Sequence, residues 1–152
     1  MKEFSPSPAT LSPTGTGAQE PDDIPISKQE YESIAAFRYA MRRFLRFSEQ
    51  AARREGITPQ QHQLLLAIKG FPGRNSATVS ELAERMQMRQ HSMVGLIDRT
   101  EAQHLVKREQ GVSDRRLVYV SLTPDGEAKL QRLSLQHRRE LRSLQDVLRA
   151  VQ

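Results

Sequence analysis

Apolar residues recur at spacings of three and four in several stretches of the chain, and the polar residues between them mark where each helix starts and stops. Ser27-Lys28-Gln29-Glu30 has the form of a capping box, in which hydroxyl and carboxylate satisfy each other's backbone amides at a helix start. Ile34, Phe37, Met41, Phe44 and Ser48 then fall on one face, with Arg38, Arg42, Arg43 and Arg46 mostly elsewhere, and Gly56 is expected to stop this helix near Glu55. Thr58-Pro59 supplies an N-cap and a first-turn proline for a second helix, Gln60 to Lys69, closed by Gly70. Phe71 to Asn75 reads as a loop. Thr78-Val79-Ser80-Glu81 is another capping box, opening a short helix through Leu82, Ala83 and Met86, with Met88 and Arg89 in the following turn.

From Gln90 to Gln103, Met93, Leu96, Ile97 and Thr100 mark a buried stripe, which turns His91, Gly95 and Asp98 outward. Leu105 to Arg108 and Leu117 to Leu122 are strand-like runs joined by a polar segment with Gly111, Ser113 and Asp114, a hairpin with a long tip. Thr123-Pro124 caps the last helix, where Leu130, Leu133, His137, Leu141, Leu144, Leu148 and Val151 follow a seven-residue rhythm that seeks a partner helix. Short helix, tight turn, second helix and basic hairpin is the order of a winged helix-turn-helix, whose second helix can enter the major groove.

Charge sharpens this picture. The 152 residues carry +5, but residues 1–27 hold Lys2 against Glu3, Glu20, Asp22 and Asp23, a net of −3, so the remainder carries +8. A basic surface gathers polyanions, which makes nucleic acid or an anionic membrane the leading partner, with a plain set of solvated arginines as the alternative. A membrane-surface role for the first helix, where Phe37, Phe44, Leu45 and Phe47 alternate with arginines, is a weaker explanation of its apolar face than a dimer core. Residues 1–26, rich in Pro, Ser, Thr and Gly, hold few large apolar groups and are expected to form a disordered acidic tail. No stretch has the form of a signal peptide or a membrane span, so a cytoplasmic location is expected.

With no cysteine, thiolate metal sites, cysteine nucleophiles and thiol redox sensing are excluded. His62, His91, His104 and His137 lack ligand-set spacing, so no metal is expected. No phosphate-cradling loop, nucleophile elbow or paired-carboxylate motif is present, so neither an enzyme nor a cofactor is expected.

Leu-Ala-Glu-Arg at 82–85, Leu-Ile-Asp-Arg at 96–99, Asp-Arg-Arg at 114–116 and Leu-Thr-Pro-Asp-Gly at 122–126, in this order and spacing, resemble the MarR family of transcriptional regulators from about Glu30 onward. The resemblance implies a mainly α fold with a small β-hairpin wing, in one domain over residues 27–152. Within it, residues 27–56 and 123–152 would supply dimerisation helices, using Ile34, Phe37, Met41, Leu133, Leu141, Leu144 and Leu148, and residues 57–122 would bind DNA. It further implies a homodimer on a near-palindromic duplex site, a repressor by family habit, released by a small aromatic or anionic effector held between the dimerisation helices and the winged part. Carried over, Gln90, His91 and Ser92 meet base edges, for which glutamine and serine have suitable donors and acceptors. Gly95 permits either close approach to the duplex or tight helix packing. Arg116 enters the minor groove, held by Asp114 and accompanied by Arg115. Arg89, Arg99 and Lys107, with the helix start at Thr78 and Ser80, are phosphate candidates. Asp98 is expected to buttress Arg116 or Arg99.

The pattern departs from the family at Thr100, where leucine is usual, and at His104, where glycine usually follows the recognition helix and a strained cap is therefore expected. The segment after Leu144 is also short for the family. The alternative reading is a winged helix used for architectural DNA binding or protein assembly without promoter regulation.

Overall fold

The computed structural model describes residues 24–151, so the tail expected over residues 1–26 lies, but for its last three residues, outside the described residues. The chain forms α1 (Lys28–Arg54), α2 (Pro59–Lys69), β1 (Ser76–Thr78), α3 (Val79–Arg85), α4 (Gln90–Ala102), β2 (Val106–Gln110), β3 (Val118–Leu122) and α5 (Pro124–Val151). Capping boxes open three of the helices: Ser27 with Glu30 for α1, Thr58 with Gln61 for α2, and Thr78 with Glu81 for α3. Each satisfies two amides that the helix itself cannot pair. Gly56 takes φ +77° after α1, the left-handed turn that glycine adopts without a Cβ penalty.

One core joins the middle of the chain to the ends of the long helices. Leu64, Leu65 and Ile68 of α2 meet Leu82 of α3, Met93, Leu96 and Ile97 of α4, Val106 and Val120 of the sheet, and Leu130 and Leu133 of α5. The four residues of α4 expected to be buried are its buried residues. Thr100 is among them, and its Oγ1 donates to the Leu96 carbonyl at 2.7 Å, so the hydroxyl is satisfied by its own helix.

The hairpin is part of a larger sheet. Three residues ahead of α3 form β1, which pairs antiparallel with β3 (Ser76 with Ser121, Ala77 with Val120, Thr78 with Tyr119), and the strand order is β1-β3-β2. The extra strand closes the edge of β3 opposite β2 and buries Ala77 completely.

The long helices α1 and α5 pack along one another, and a second apolar surface remains uncovered. Only Ala51 and Ala52 of α1 are fully buried. Phe37, Met41 and Phe44 are half-buried, whereas Ile34, Tyr39 and Leu45 of α1 and Leu135, Leu141 and Leu148 of α5 are exposed. Leu133 departs from the dimer-contact role expected for it: it is wholly buried in its own protomer, because the first half of α5 packs into the core described above.

After α4 the chain turns through His104 at φ +58°, a left-handed conformation that costs a non-glycine residue about 1 kcal/mol or more. Its carbonyl accepts from Thr123 Oγ1 at 2.6 Å and its amide donates to Glu101 O at 2.8 Å, which hold the turn in place. His104→Gly is expected to stabilise the fold by about 0.5–1 kcal/mol, relief of strain exceeding the extra freedom of the unfolded chain. Thermal or urea unfolding measures this; a loss of stability contradicts it.

Candidate nucleic-acid interface

Helix α4 follows α3 after a tight turn in which Gln87 takes φ +52°. Its first turn carries no acidic residue, and Arg89, the N-cap, makes no side-chain capping bond, so no carboxylate of the helix's own first turn offsets its positive dipole end. Gln90 and His91 are exposed, and Ser92 and Gly95 are half-buried. One hydrogen of the Gln90 amide donates to Ser80 Oγ at 3.1 Å, tying the start of α4 to α3 and leaving the amide's other groups for a ligand. At Gly95 an added Cβ would meet only Arg99 Nη1, at 3.4 Å. Packing inside the protomer therefore does not require this glycine.

The wing is built to present an arginine. Asp114 Oδ1 accepts from the backbone N and the Nε of Arg116, at 3.0 and 3.1 Å, and Oδ2 accepts from Nη2 at 3.1 Å. The carboxyl of Asp114 is held below the usual carboxylate range by the Arg116 guanidinium, then by its backbone amide. Arg116 is nonetheless 90 % exposed, so the guanidinium is fixed in direction yet free on its outer side. Around it the tip closes through Gly111 N to Leu117 O (2.8 Å), Leu117 N to Asp114 O (3.2 Å) and Gln110 Nε2 to Arg115 O (2.8 Å). A Cβ at Gly111 would overlap the Asp114 carbonyl oxygen, so this tip conformation requires glycine there.

Other expected contacts are placed differently. The Thr78 amide donates to Glu81 Oε2 and its hydroxyl accepts from Glu81 N, so the capping box that makes α3 takes the amide and leaves the hydroxyl's own hydrogen to donate. Ser80 is exposed and holds Gln90. Lys107 is paired with Glu109 at 2.8 Å, while Arg89, Arg99 and Arg115 are exposed. Asp98 buttresses neither Arg116 nor Arg99; its partner is Arg108 of β2, because strand β2 runs back past α4 and brings that guanidinium to it.

Between α1, α2 and α5 lies a cleft of about 340 Å³, lined by Phe44, Leu45, His62, Leu66, His137 and Leu141 among others. The fold brings together two histidines that spacing alone had separated: their ring centroids are 5.0 Å apart, with Phe44 and Phe47 edge-on to His137 at 5.9 and 5.2 Å. His137 Nδ1 lies 2.6 Å from the Leu133 carbonyl, which makes it the donor, and its Nε2 is buried without a partner. No group of three or more His, Asp or Glu side chains suited to a metal occurs among the described residues.

Burial, and then the neighbouring His137, push the pKa of His62 down to about 4. The unfolded chain therefore takes up a proton near pH 6.5 that the folded chain refuses until about pH 4. Stability contributed by the neutral ring is complete above pH 6.5 and falls away as the pH drops towards 4, by about 3 kcal/mol across that window. Urea unfolding across this range is expected to show that slope in the native chain and a flatter one in His62→Gln. Equal slopes would contradict the assignment.

A family model described as the MarR family matches residues 55–117, the span from the end of α1 through the wing tip. The chain is 33 % identical over 82 residues to the HTH-type transcriptional repressor MdtR of Bacillus subtilis, covering 54 % of this chain and 51 % of that one. The chain spans about half the length of this and the other curated relatives that match at above 30 % identity. Among solved structures it resembles AbsC, a MarR family transcriptional regulator from Streptomyces coelicolor, with a TM-score of 0.64 at 21 % identity over 80 % of this chain and 81 % of that one. It also resembles a MarR mutant from Escherichia coli complexed with operator DNA, with a TM-score of 0.58 at 20 % identity over 75 % of each chain. At these identities the structural likeness establishes the winged-helix fold. Among the described residues no helix is long and apolar enough to cross a membrane.

Proposed function

From the match of residues 55–117 to the MarR family model and the winged-helix fold, we propose that the chain is a cytoplasmic, sequence-specific regulator of transcription, acting as a repressor, that binds a near-palindromic duplex as a homodimer and has no catalytic activity. The observation that carries this reading is the wing tip, where Asp114 spends both carboxylate oxygens on holding a 90 % exposed Arg116 in one pose. A merely solvated arginine needs no such jig, whereas a guanidinium entering a narrow, electronegative minor groove benefits from it. Gln90, His91 and Ser92 at the start of α4 read bases in the adjoining major groove, Gly95 lets the helix approach closely, and Arg89, Arg99, Arg115 and the exposed Ser80 contact phosphates. The wing's Lys107, though paired with Glu109, lies at the surface and joins them. Asp114 acts through Arg116.

The uncovered apolar residues of α1 and α5 support the homodimer: Ile34, Leu141 and Leu148 are exposed, and Phe37, Met41 and Leu144 half-buried, as expected of surfaces that a second copy covers. Residues 27–56 and 123–152 are thus the dimerisation part and residues 57–122 the DNA-binding part. The cleft between them is of a size to take a small aromatic or anionic effector, with the unpartnered His137 Nε2 as the polar group that orients it. An effector held there shifts the dimer between operator-fitting and non-fitting spacings of its two α4 helices.

The reading is tested by titrating labelled duplex with the purified chain at increasing salt. Neutralising several phosphates requires a steep fall of affinity with salt concentration, and absence of duplex binding at low salt would favour a protein-assembly role instead.

A further inference from the structure

Arg108 belongs to β2, yet its guanidinium lies against α4. Its Nη2 is 2.5 Å from Asp98 Oδ1 and its Nη1 is 3.1 Å from Glu101 Oε1. The two carboxylates stand three residues apart, on one side of the helix, so a planar fork of donors can take both at once. Among the described residues this is the only ion-pair cluster that joins the wing strands to α4. Asp98 is 59 % exposed and Arg108 only 26 %, so the cation is the more buried member of the pair.

We propose that Arg108 is a positioning residue for DNA reading: it locks the wing to the recognition helix and masks the two carboxylates of that helix from the phosphates. The proposal rests on the DNA-binding reading above. It follows from the need for two reading elements of one protomer to reach adjacent grooves together. A wing fixed to α4 presents Arg116 at a high effective concentration once α4 is seated, whereas a loose wing must be ordered at binding and gives back that advantage. Asp98 alone would oppose binding, since an exposed carboxylate on a groove-entering helix repels the backbone; paired to Arg108, it becomes the anchor of the wing. A lysine could satisfy only one acid at a time, so charge without the fork is not enough.

The experiment compares the native chain, Arg108→Ala, Arg108→Lys, the double variant Asp98→Asn with Glu101→Gln, and each combined with Arg116→Ala. Affinities are measured for a duplex selected by the native chain from a random pool and for a scrambled duplex, and amide hydrogen exchange of residues 106–118 is followed without DNA. Expected are faster exchange of the wing, a loss of about tenfold or more on the selected duplex with at most a few-fold loss on the scrambled one, and a much smaller further loss from Arg116→Ala than in the native chain. The acid-neutralised double variant should lose affinity as the arginine variants do, and it keeps the test open if Arg108→Ala does not fold. Arg108→Lys should remain impaired.

Three results would overturn the proposal. Equal losses on both duplexes with a reduced salt slope make Arg108 a direct phosphate contact. Strictly multiplicative effects with Arg116→Ala show that the wing is positioned without it. A gain in affinity from neutralising the acids shows that they act only by repulsion. If the native chain selects no duplex, the DNA-binding reading fails, while the exchange measurement still reports separately whether Arg108 locks the wing.

Discussion

Gly126→Ala is expected to destabilise the fold by about 3 kcal/mol or more, a drop of roughly 10 °C in the unfolding midpoint. A Cβ at this position would overlap the Leu105 carbonyl oxygen and come to 3.0 Å from its carbon, both of them backbone atoms. Neither side can yield cheaply. Gly126 N donates to Thr123 Oγ1 at 3.1 Å, and Thr123 in turn donates through its amide to Leu105 O (3.0 Å) and through its hydroxyl to His104 O (2.6 Å). Leu-Thr-Pro-Asp-Gly is therefore more than a helix start: it is the joint at which α5 is fastened to the turn that follows α4. Gly95→Ala is the control, because its Cβ would meet only a flexible arginine tip and alanine favours a helix interior by about 1 kcal/mol. That variant should be as stable as the native chain or more so. Thermal unfolding of the pair checks both, and similar midpoints would mean that Gly126 has room the structure denies it.

Arg116→Ala is expected to weaken binding to a selected duplex by about tenfold to a hundredfold, on the order of 1–3 kcal/mol, and to lower the salt slope by about one. The fold should not notice. The side chain is 90 % exposed, its only partners are Asp114 groups of the same turn, and surface pairs of this kind contribute little to stability. Asp114→Asn should lose less, since it leaves the cation and removes only its fixed direction. Fluorescence anisotropy with the selected duplex, beside thermal unfolding, separates the two effects; unchanged affinity for Arg116→Ala would remove the wing from the interface.

Features encoded over a few neighbouring residues were legible in the sequence. The capping boxes at Ser27 and Thr78 follow from residue types three positions apart, and the buried stripe of α4 follows from the helical period. The strained turn at His104 follows from a residue with a Cβ standing where the family usually has glycine. Features made by distant segments were not. β1 is too short for an alternating pattern and exists because β3 offers it an edge. A heptad rhythm cannot say whether a leucine meets its own chain or a copy, and Leu133 meets its own. Asp98 gave no hint of Arg108, since the pairing depends on the path of β2 across α4. His62 and His137 looked isolated because the contact between α2 and α5 is purely tertiary, although the histidine within the apolar rhythm of α5 was a signal that its ring would be buried.

The regulatory reading depends on two copies presenting paired reading helices to one duplex. Selecting bound duplexes from a random pool with the full chain tests this most directly. The account predicts an inverted-repeat consensus whose half-sites are about one helical turn apart, centre to centre. A pool that never converges, or that converges on a single unrepeated half-site, would contradict it.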